Sequence, residues 1–198
     1  MEAESAKGGA EMISKKEGTI IQPREVFIGD LNAAVTLTEF ADYESKAAVE
    51  AHAWVKDILH TYEGKLKFCF RHFPLRQRHQ KAQKAAEAAV AAAQEGKFWE
   101  MHEMLLQNSR NLGTISLKSY AKAIGTINKR FLDELISGKY AWTVQDDLDE
   151  GIRLGIKEIP AFFLNSQKLE GIVTKEILYE KVEEAIRHSL TSKQTNKF

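Results

Sequence analysis

The chain carries a single thiol, and this count limits its chemistry more than any other feature of its composition. Cys69 lies in the run KFCFRHF, between two phenylalanines. One cysteine cannot form an intramolecular disulfide, and it cannot build a zinc site of several cysteines. The apolar run predicts a buried strand, where a thiol has a raised pKa and low reactivity. We therefore interpret Cys69 as structural, with slow redox sensing or a mixed disulfide as the alternative.

The histidines and the acidic residue in the first predicted strand do not indicate a metal or acid–base centre. His52 and His60 are eight positions apart, which is about 12 Å along a helix and too far for shared coordination. Glu39 ends a predicted strand, and we expect it to form an ion pair with Lys67 or Arg71 on the neighbouring strand. Neither a metal nor a cofactor is expected.

The charge balance gives no indication of a nucleic-acid or membrane partner. The 198 residues include 28 Lys and Arg and 28 Asp and Glu, so the net charge is close to zero. Residues 71–81 are locally basic, and we interpret them as a solvated face, with a weak anion or partner site as the alternative. No apolar stretch approaches the roughly 18 residues of a membrane span, and residues 1–16 lack the apolar part of a secretory signal. We expect a cytoplasmic location, or an extracytoplasmic one if a signal or upstream domain has been removed.

The spacing of apolar residues predicts a strand, a helix and a second strand in the first part of the chain. Residues 35–40 alternate and are rich in β-branched side chains, and residues 45–62 repeat at helical spacing. Residues 65–73 form the second strand. Such a unit implies two parallel strands with the helix on one face of the sheet.

Five helical segments follow between residues 79 and 154, and the pattern then returns to strand. Residues 160–164 and 169–173 are predicted to pair as a hairpin, and residues 174–188 to form a final helix. This order predicts an α/β fold in which a mixed sheet carries an inserted all-helical subdomain. The predicted parts are a flexible N-terminal arm, a β-α-β first half, a helical insertion, a β-β-α second half and a tail, at residues 1–22, 23–75, 76–155, 156–190 and 191–198.

Several short motifs of this chain occur together in an informative order and spacing. They are Ile28-Gly29-Asp30, VTLTEF at 35–40 with Asp42-Tyr43, Arg71-His72-Phe73-Pro74-Leu75, GKFWEMH at 96–102, Ser137-Gly138-Lys139-Tyr140 and Ile159-Pro160-Ala161-Phe162-Phe163. On these motifs, residues 26–187 resemble the DsbA-like branch of the thioredoxin superfamily, whose members are protein-disulfide oxidoreductases. The resemblance implies a thioredoxin-like fold in which Pro160 faces the active site and the Ile159–Pro160 peptide bond is cis.

The redox motif of that family is degenerate in this chain. The family's Cys-x-x-Cys motif opens the first helix, and here that place holds Ser45-Lys46-Ala47-Ala48. On the resemblance, Ser45 matches the attacking cysteine and Ala48 the resolving one. A serine hydroxyl cannot form a disulfide and an alanine cannot resolve one, so dithiol exchange is excluded at this site.

Two hypotheses about function follow from the resemblance. The first is a protein without dithiol activity that binds a peptide or protein partner in a groove beside Ser45, Ile159 and Pro160, because backbone pairing next to the proline requires no thiol. The second is a glutathione-dependent enzyme similar to the kappa-type glutathione transferases, in which the Ser45 hydroxyl bonds the glutathione sulfur at the helix N-terminus. Ser45 is also expected to be the N-cap of this helix. The oligomeric state stays open.

Overall fold

One mixed sheet lies at the centre of the computed structural model, which describes residues 20–126 and 128–195 of the chain. Its strands are β1 (Ile28–Gly29), β2 (Val35–Ala41), β3 (Leu66–His72), β4 (Ala161–Leu164) and β5 (Gln167–Lys168). Their order across the sheet is β1-β3-β2-β4-β5. β2 and β3 are parallel, and the other neighbouring pairs are antiparallel.

The predicted strand–helix–strand unit is confirmed, since α1 (Lys46–Thr61) connects the two parallel strands. In β2 the side chains of Val35 and Leu37 are buried, whereas Thr36 and Thr38 stay partly exposed. This is the period of two that the sequence shows. The main hydrophobic core therefore lies on the Val35 and Leu37 face of the sheet.

The predicted helical insertion is also confirmed. It comprises α2 (Ala82–Ala93), α3 (Phe98–Gln107), α4 (Thr114–Ala123), α5 (Lys129–Ser137) and α6 (Ala141–Arg153). α2 packs against all four of the other helices. Alanine makes this possible, because its small side chain lets neighbours approach the helix closely on every side.

The hairpin differs from the prediction. Asn165 and Ser166 both have positive φ, 48° and 69°, and this two-residue turn sets Phe163 opposite Lys168. Two successive residues with positive φ are typical of a type I′ hairpin turn. The second strand therefore comes earlier and is shorter than predicted, and residues 169–173 form no strand.

Both ends of the described chain also differ from the prediction. Residues 1–19 of the predicted arm and 196–198 of the predicted tail lie outside the described residues. Ile21, predicted in the arm, is buried, and its backbone N–H and carbonyl each bond the Gln94 side chain at 3.0 Å. α7 (Lys175–Thr195) continues past the predicted end at residue 188, since the following residues include no glycine or proline. None of the helices in the described ranges combines the length and apolar content of a membrane span.

A buried ion pair attaches the insertion to the sheet. Arg71 Nε on β3 donates to Asp147 Oδ1 on α6 at 2.7 Å, and the guanidinium also donates to Glu150. Asp147 Oδ2 accepts the backbone N–H of His72 at 3.0 Å. Burial raises the pKa of Asp147 to about 6, although Arg71 acts in the opposite direction. The predicted solvated face is therefore wrong at Arg71 and His72, which are buried, whereas Arg76 is exposed.

We expect Asp147→Ala to lower the free energy of unfolding by about 3 kcal/mol, because it removes a partner from a buried guanidinium. Urea denaturation measures the loss. The matched control is Asp149→Ala on the same helix. Its exposed carboxylate bonds only the side chain of Gln145 among the residues that the structure describes, so we expect a loss within about 0.5 kcal/mol. Equal losses of unfolding free energy in the two variants would contradict a stabilising role of the buried Arg71–Asp147 ion pair.

Candidate functional site

The start of α1 places the Ser45-Lys46-Ala47-Ala48 segment. Ser45 is the N-cap, and its Oγ accepts the backbone N–H of Ala48 at 3.3 Å. Ser45 is only 7% exposed and Ala48 only 1%, whereas Lys46 and Ala47 lie on the surface. The hydroxyl that the glutathione hypothesis requires is therefore already engaged in capping the helix, as the N-cap prediction expects.

Asp42, between β2 and α1, organises the loops around this helix start. Its buried carboxylate accepts the backbone N–H groups of Glu44 at 3.1 Å, Ser45 at 2.9 Å and Leu75 at 3.0 Å. His79 Nδ1 donates to it at 2.7 Å. One side chain therefore fixes both the entry to α1 and the loop that leads into the insertion. The sequence gives Asp42 only as part of a motif, because its partners Leu75 and His79 lie 33 and 37 residues away.

Glu44 makes a second connection of the same kind. Its Oε2 accepts the backbone N–H groups of Lys81 at 2.6 Å and Ala82 at 2.8 Å. These are the donors that the start of α2 leaves without helical partners. Glu44 thus caps the insertion's central helix from the loop that precedes Ser45.

A groove runs from the start of α1 past the cis Ile159–Pro160 peptide bond. Its volume is about 670 Å³, and one wall is formed by Ala47, Glu50 and Trp54, which share a face of α1 through their spacing. Ile172 also lines the groove and is 87% exposed. The structure thus brings Ala47 to the same groove as Ile159 and Pro160. Ser45 and Ala48 are not among its lining residues.

Two segments that line the groove have unused backbone groups. Residues 157–159 enter β4, and residues 170–173 follow β5. Neither segment forms a backbone–backbone hydrogen bond within the described part of the chain. Residues 170–173 belong to the predicted strand 169–173, and the early hairpin turn leaves their backbone unpaired. Peptide groups in this state can pair with an added extended chain.

A buried carboxyl lies in β2, three residues before Asp42. Glu39 is 2% exposed, its Oε1 has no hydrogen-bond partner among the described residues, and burial raises its pKa from 4.5 to about 8. The predicted ion pair is wrong, because Glu39 lies opposite Phe70 and strand alternation turns Arg71 to the other face. Glu39 is therefore a neutral acid at pH 7.

No metal centre is formed by the side chains that the structure describes, where no group of three or more His, Cys, Asp or Glu residues could hold an ion. Cys69 is 8% exposed, and burial raises the pKa of its thiol. Its burial agrees with the structural interpretation of this residue.

The chain matches a known family and several solved structures. A family model described as thioredoxin matches residues 22–187. Oxidised BdbD from Bacillus subtilis is similar with a TM-score of 0.73 and 22% identity, over 86% of this chain and 93% of that one. The thiol-disulfide exchange protein alpha-DsbA2 from Wolbachia pipientis gives 0.68 and 22%, over 80% and 85%. At this identity the two structures establish the shared fold.

The curated relatives are much longer proteins. The Na(+)/H(+) antiporter NhaA 3 of Salinispora tropica is 32% identical over 143 residues, which are 72% of this chain and 22% of that protein. The Na(+)/H(+) antiporter NhaA 1 of Mycobacterium sp. (strain KMS) is 29% identical over 159 residues, with shares of 77% and 26%. The chain thus spans about a quarter of the length of these relatives.

We expect Glu39→Gln to remove a pH dependence of stability. The carboxyl titrates near 4.5 in the unfolded chain and near 8 in the folded one, so the folded state holds its proton more tightly. Between these values the free energy of unfolding falls as the pH rises, by up to about 1.4 kcal/mol per pH unit. The advantage of the Gln variant over the wild type should therefore grow from pH 5 to pH 8.

Urea denaturation at the two pH values tests this expectation. Contributions of other groups, such as His72, whose pKa burial lowers to about 3, are common to both proteins and cancel in the difference. An offset between the proteins that is the same at both pH values would contradict the neutral state of Glu39.

Proposed function

The chain belongs to the thioredoxin family, and we propose that within it this protein binds an extended segment of a protein partner without dithiol chemistry. The observation that carries the proposal is the groove itself. Two segments with unused backbone groups, 157–159 and 170–173, line it together with the exposed side chain of Ile172.

The absence of dithiol chemistry is supported by the residues at the start of α1. Thiol–disulfide exchange requires an attacking thiolate and a second thiol that releases the mixed disulfide. Ser45 and Ala48 provide neither. Cys69 lies on β3, is buried and has a raised pKa, so it does not supply a reactive thiolate.

Binding of an extended segment is supported by the chemistry of the residues that line the groove. A strand placed in the groove would pair its peptide groups with residues 157–159 or 170–173. Trp54, Ile172 and Val173 offer apolar contacts for its side chains, and burial of apolar surface contributes about 25 cal/mol per Å². Affinity of this kind depends on backbone and apolar surface, so the bound segment needs no cysteine.

Glutathione is the less favoured ligand. To bond a glutathione thiolate, the Ser45 hydroxyl would have to break its hydrogen bond with the Ala48 N–H. Ser45 would also have to become accessible, since it is only 7% exposed. Loss of the cap would cost about 1 kcal/mol. A ligand held by backbone pairing in the groove requires no such change.

The antiporter relatives favour a membrane transport protein as the source of the bound segment. In those proteins the stretch similar to this chain accounts for 22% and 26% of a longer polypeptide. A thioredoxin-like stretch that is covalently part of such a polypeptide is held close to its other segments. We therefore include a segment of a transport protein among the partners, while the absence of direct membrane contact stays a prediction.

We expect fluorescently labelled, carboxymethylated α-lactalbumin to bind saturably in an anisotropy assay, because it is an unfolded chain with blocked thiols. Ile172→Asp should weaken binding at least about tenfold, equivalent to roughly 1.4 kcal/mol, since it places a charge on an apolar wall. The matched control is Ile115→Asp on α4, at a residue that is 86% exposed and outside the groove.

Equal affinities of the Ile172 and Ile115 variants, or no binding by the wild type, would contradict the proposal. Excess reduced glutathione is expected not to compete. Competition by glutathione, together with a rise in Tm on its addition, would favour the glutathione-dependent enzyme instead.

A further inference from the structure

We propose that the bound segment continues beyond the groove into a second cleft between β5 and α7, an inference that rests on the proposed function. This cleft has a volume of about 510 Å³. It shares Lys168, Leu169 and Glu170 with the first groove. Both cavities therefore adjoin the same short segment, and an extended ligand that passes residues 168–170 would reach both.

The position of β5 favours an extended ligand in this track. β5 is the last strand in the sheet order, and β4 is its neighbour. An end strand has one edge whose peptide groups have no ladder partner. Gln167 and Lys168, the two residues of β5, line the second cleft. A segment that leaves the first groove past residues 168–170 thus meets a second stretch of backbone with which it can pair.

The side chains of the cleft indicate an apolar occupant. Leu164, Leu169 and Ala185 line it together with Ile177. Leu178 and Val182, like Ile186 one turn further, are buried in the core. Ile177 precedes this stripe by one residue, so it lies beside the core face and is 37% exposed. Ile177 therefore lines the cleft.

The charges at the rim balance each other. Lys181 Nζ lies 2.8 Å from Glu184 Oε2, and Lys168 Nζ lies 3.4 Å from Glu170 Oε2. Paired charges give no net attraction for an acidic or a basic ligand. The proposed occupant is therefore an extended segment without a strong net charge, with one apolar side chain in the first groove and a second in the cleft. A tripeptide spans at most about 10 Å and would occupy the first groove alone.

The test compares short and long peptides. The short probe is an α-lactalbumin peptide of about seven residues that binds the wild type. The long probes, of about fifteen residues, extend this peptide at its N-terminus or its C-terminus. Every cysteine in the probes is replaced by serine. Anisotropy should give the wild type at least a tenfold higher affinity for one of the longer peptides. Ile177→Asp should abolish this gain and leave binding of the short peptide unchanged.

Leu190→Asp is the matched control, because Leu190 is an exposed apolar residue of the same helix and is outside the cleft. Leu190→Asp should keep the full gain in affinity for the longer peptide. Ile177→Ala should lose part of this gain, and it provides the test if Ile177→Asp fails to fold. A short peptide that binds while extension brings no gain, or a gain that survives both Ile177 variants, overturns the second cleft alone. No binding at either length overturns the proposed function as well.

Discussion

The arrangement of the site depends on one buried carboxylate. Asp42 accepts hydrogen bonds from both sides of the junction between sheet and insertion, through the backbone of Ser45 at the start of α1 and through Leu75 and His79 before α2. Hydrogen bonds to a charged acceptor are stronger than those between neutral groups. The helix start is therefore fixed by a residue that takes no part in thiol chemistry.

This independence explains how a thioredoxin-like groove can exist without cysteines. The Ser45 hydroxyl caps α1, Glu44 caps α2, and the ion pair of Arg71 with Asp147 attaches the insertion to the sheet. None of these contacts involves a sulfur atom. The contacts that hold the helix start and the insertion in place therefore do not depend on thiols, and the proposed pairing with an extended chain requires none.

Much of the fold could be predicted because its signals are local. The alternation in β2 and the helical repeat of α1 are visible in the residues themselves, and the motifs give their order. The errors concern long-range geometry. Glu39 and Arg71 each belong to a strand, but their faces depend on the register between strands. Residues 169–173 are apolar enough for a strand, yet the turn at Asn165 and Ser166 ends the pairing before them.

The same limit applies to the candidate site. Ile159 and Pro160 could be named in advance because the family motifs carry them, whereas Ser45, named with them, does not line the groove. The roles of Asp42 and Ile172 could not be predicted, because each role depends on which distant residues the fold places next to them. Ile172 in particular is exposed only because the hairpin closes early, which leaves its segment as a groove wall in place of a strand.

The central claim is that Ser45 and Ala48 stand where the family's two thiols would act, in a site that is otherwise intact. The most direct measurement uses the double variant Ser45→Cys/Ala48→Cys. It follows, as a function of pH, how fast iodoacetamide labels the thiol that Ser45→Cys introduces. The helix N-terminus and its free N–H groups should lower the pKa of this thiol below the free value of about 8.5. The variant should then form the disulfide and reduce insulin, while the wild type gives the uncatalysed rate. A pKa at or above about 8.5 with no disulfide would contradict the claim.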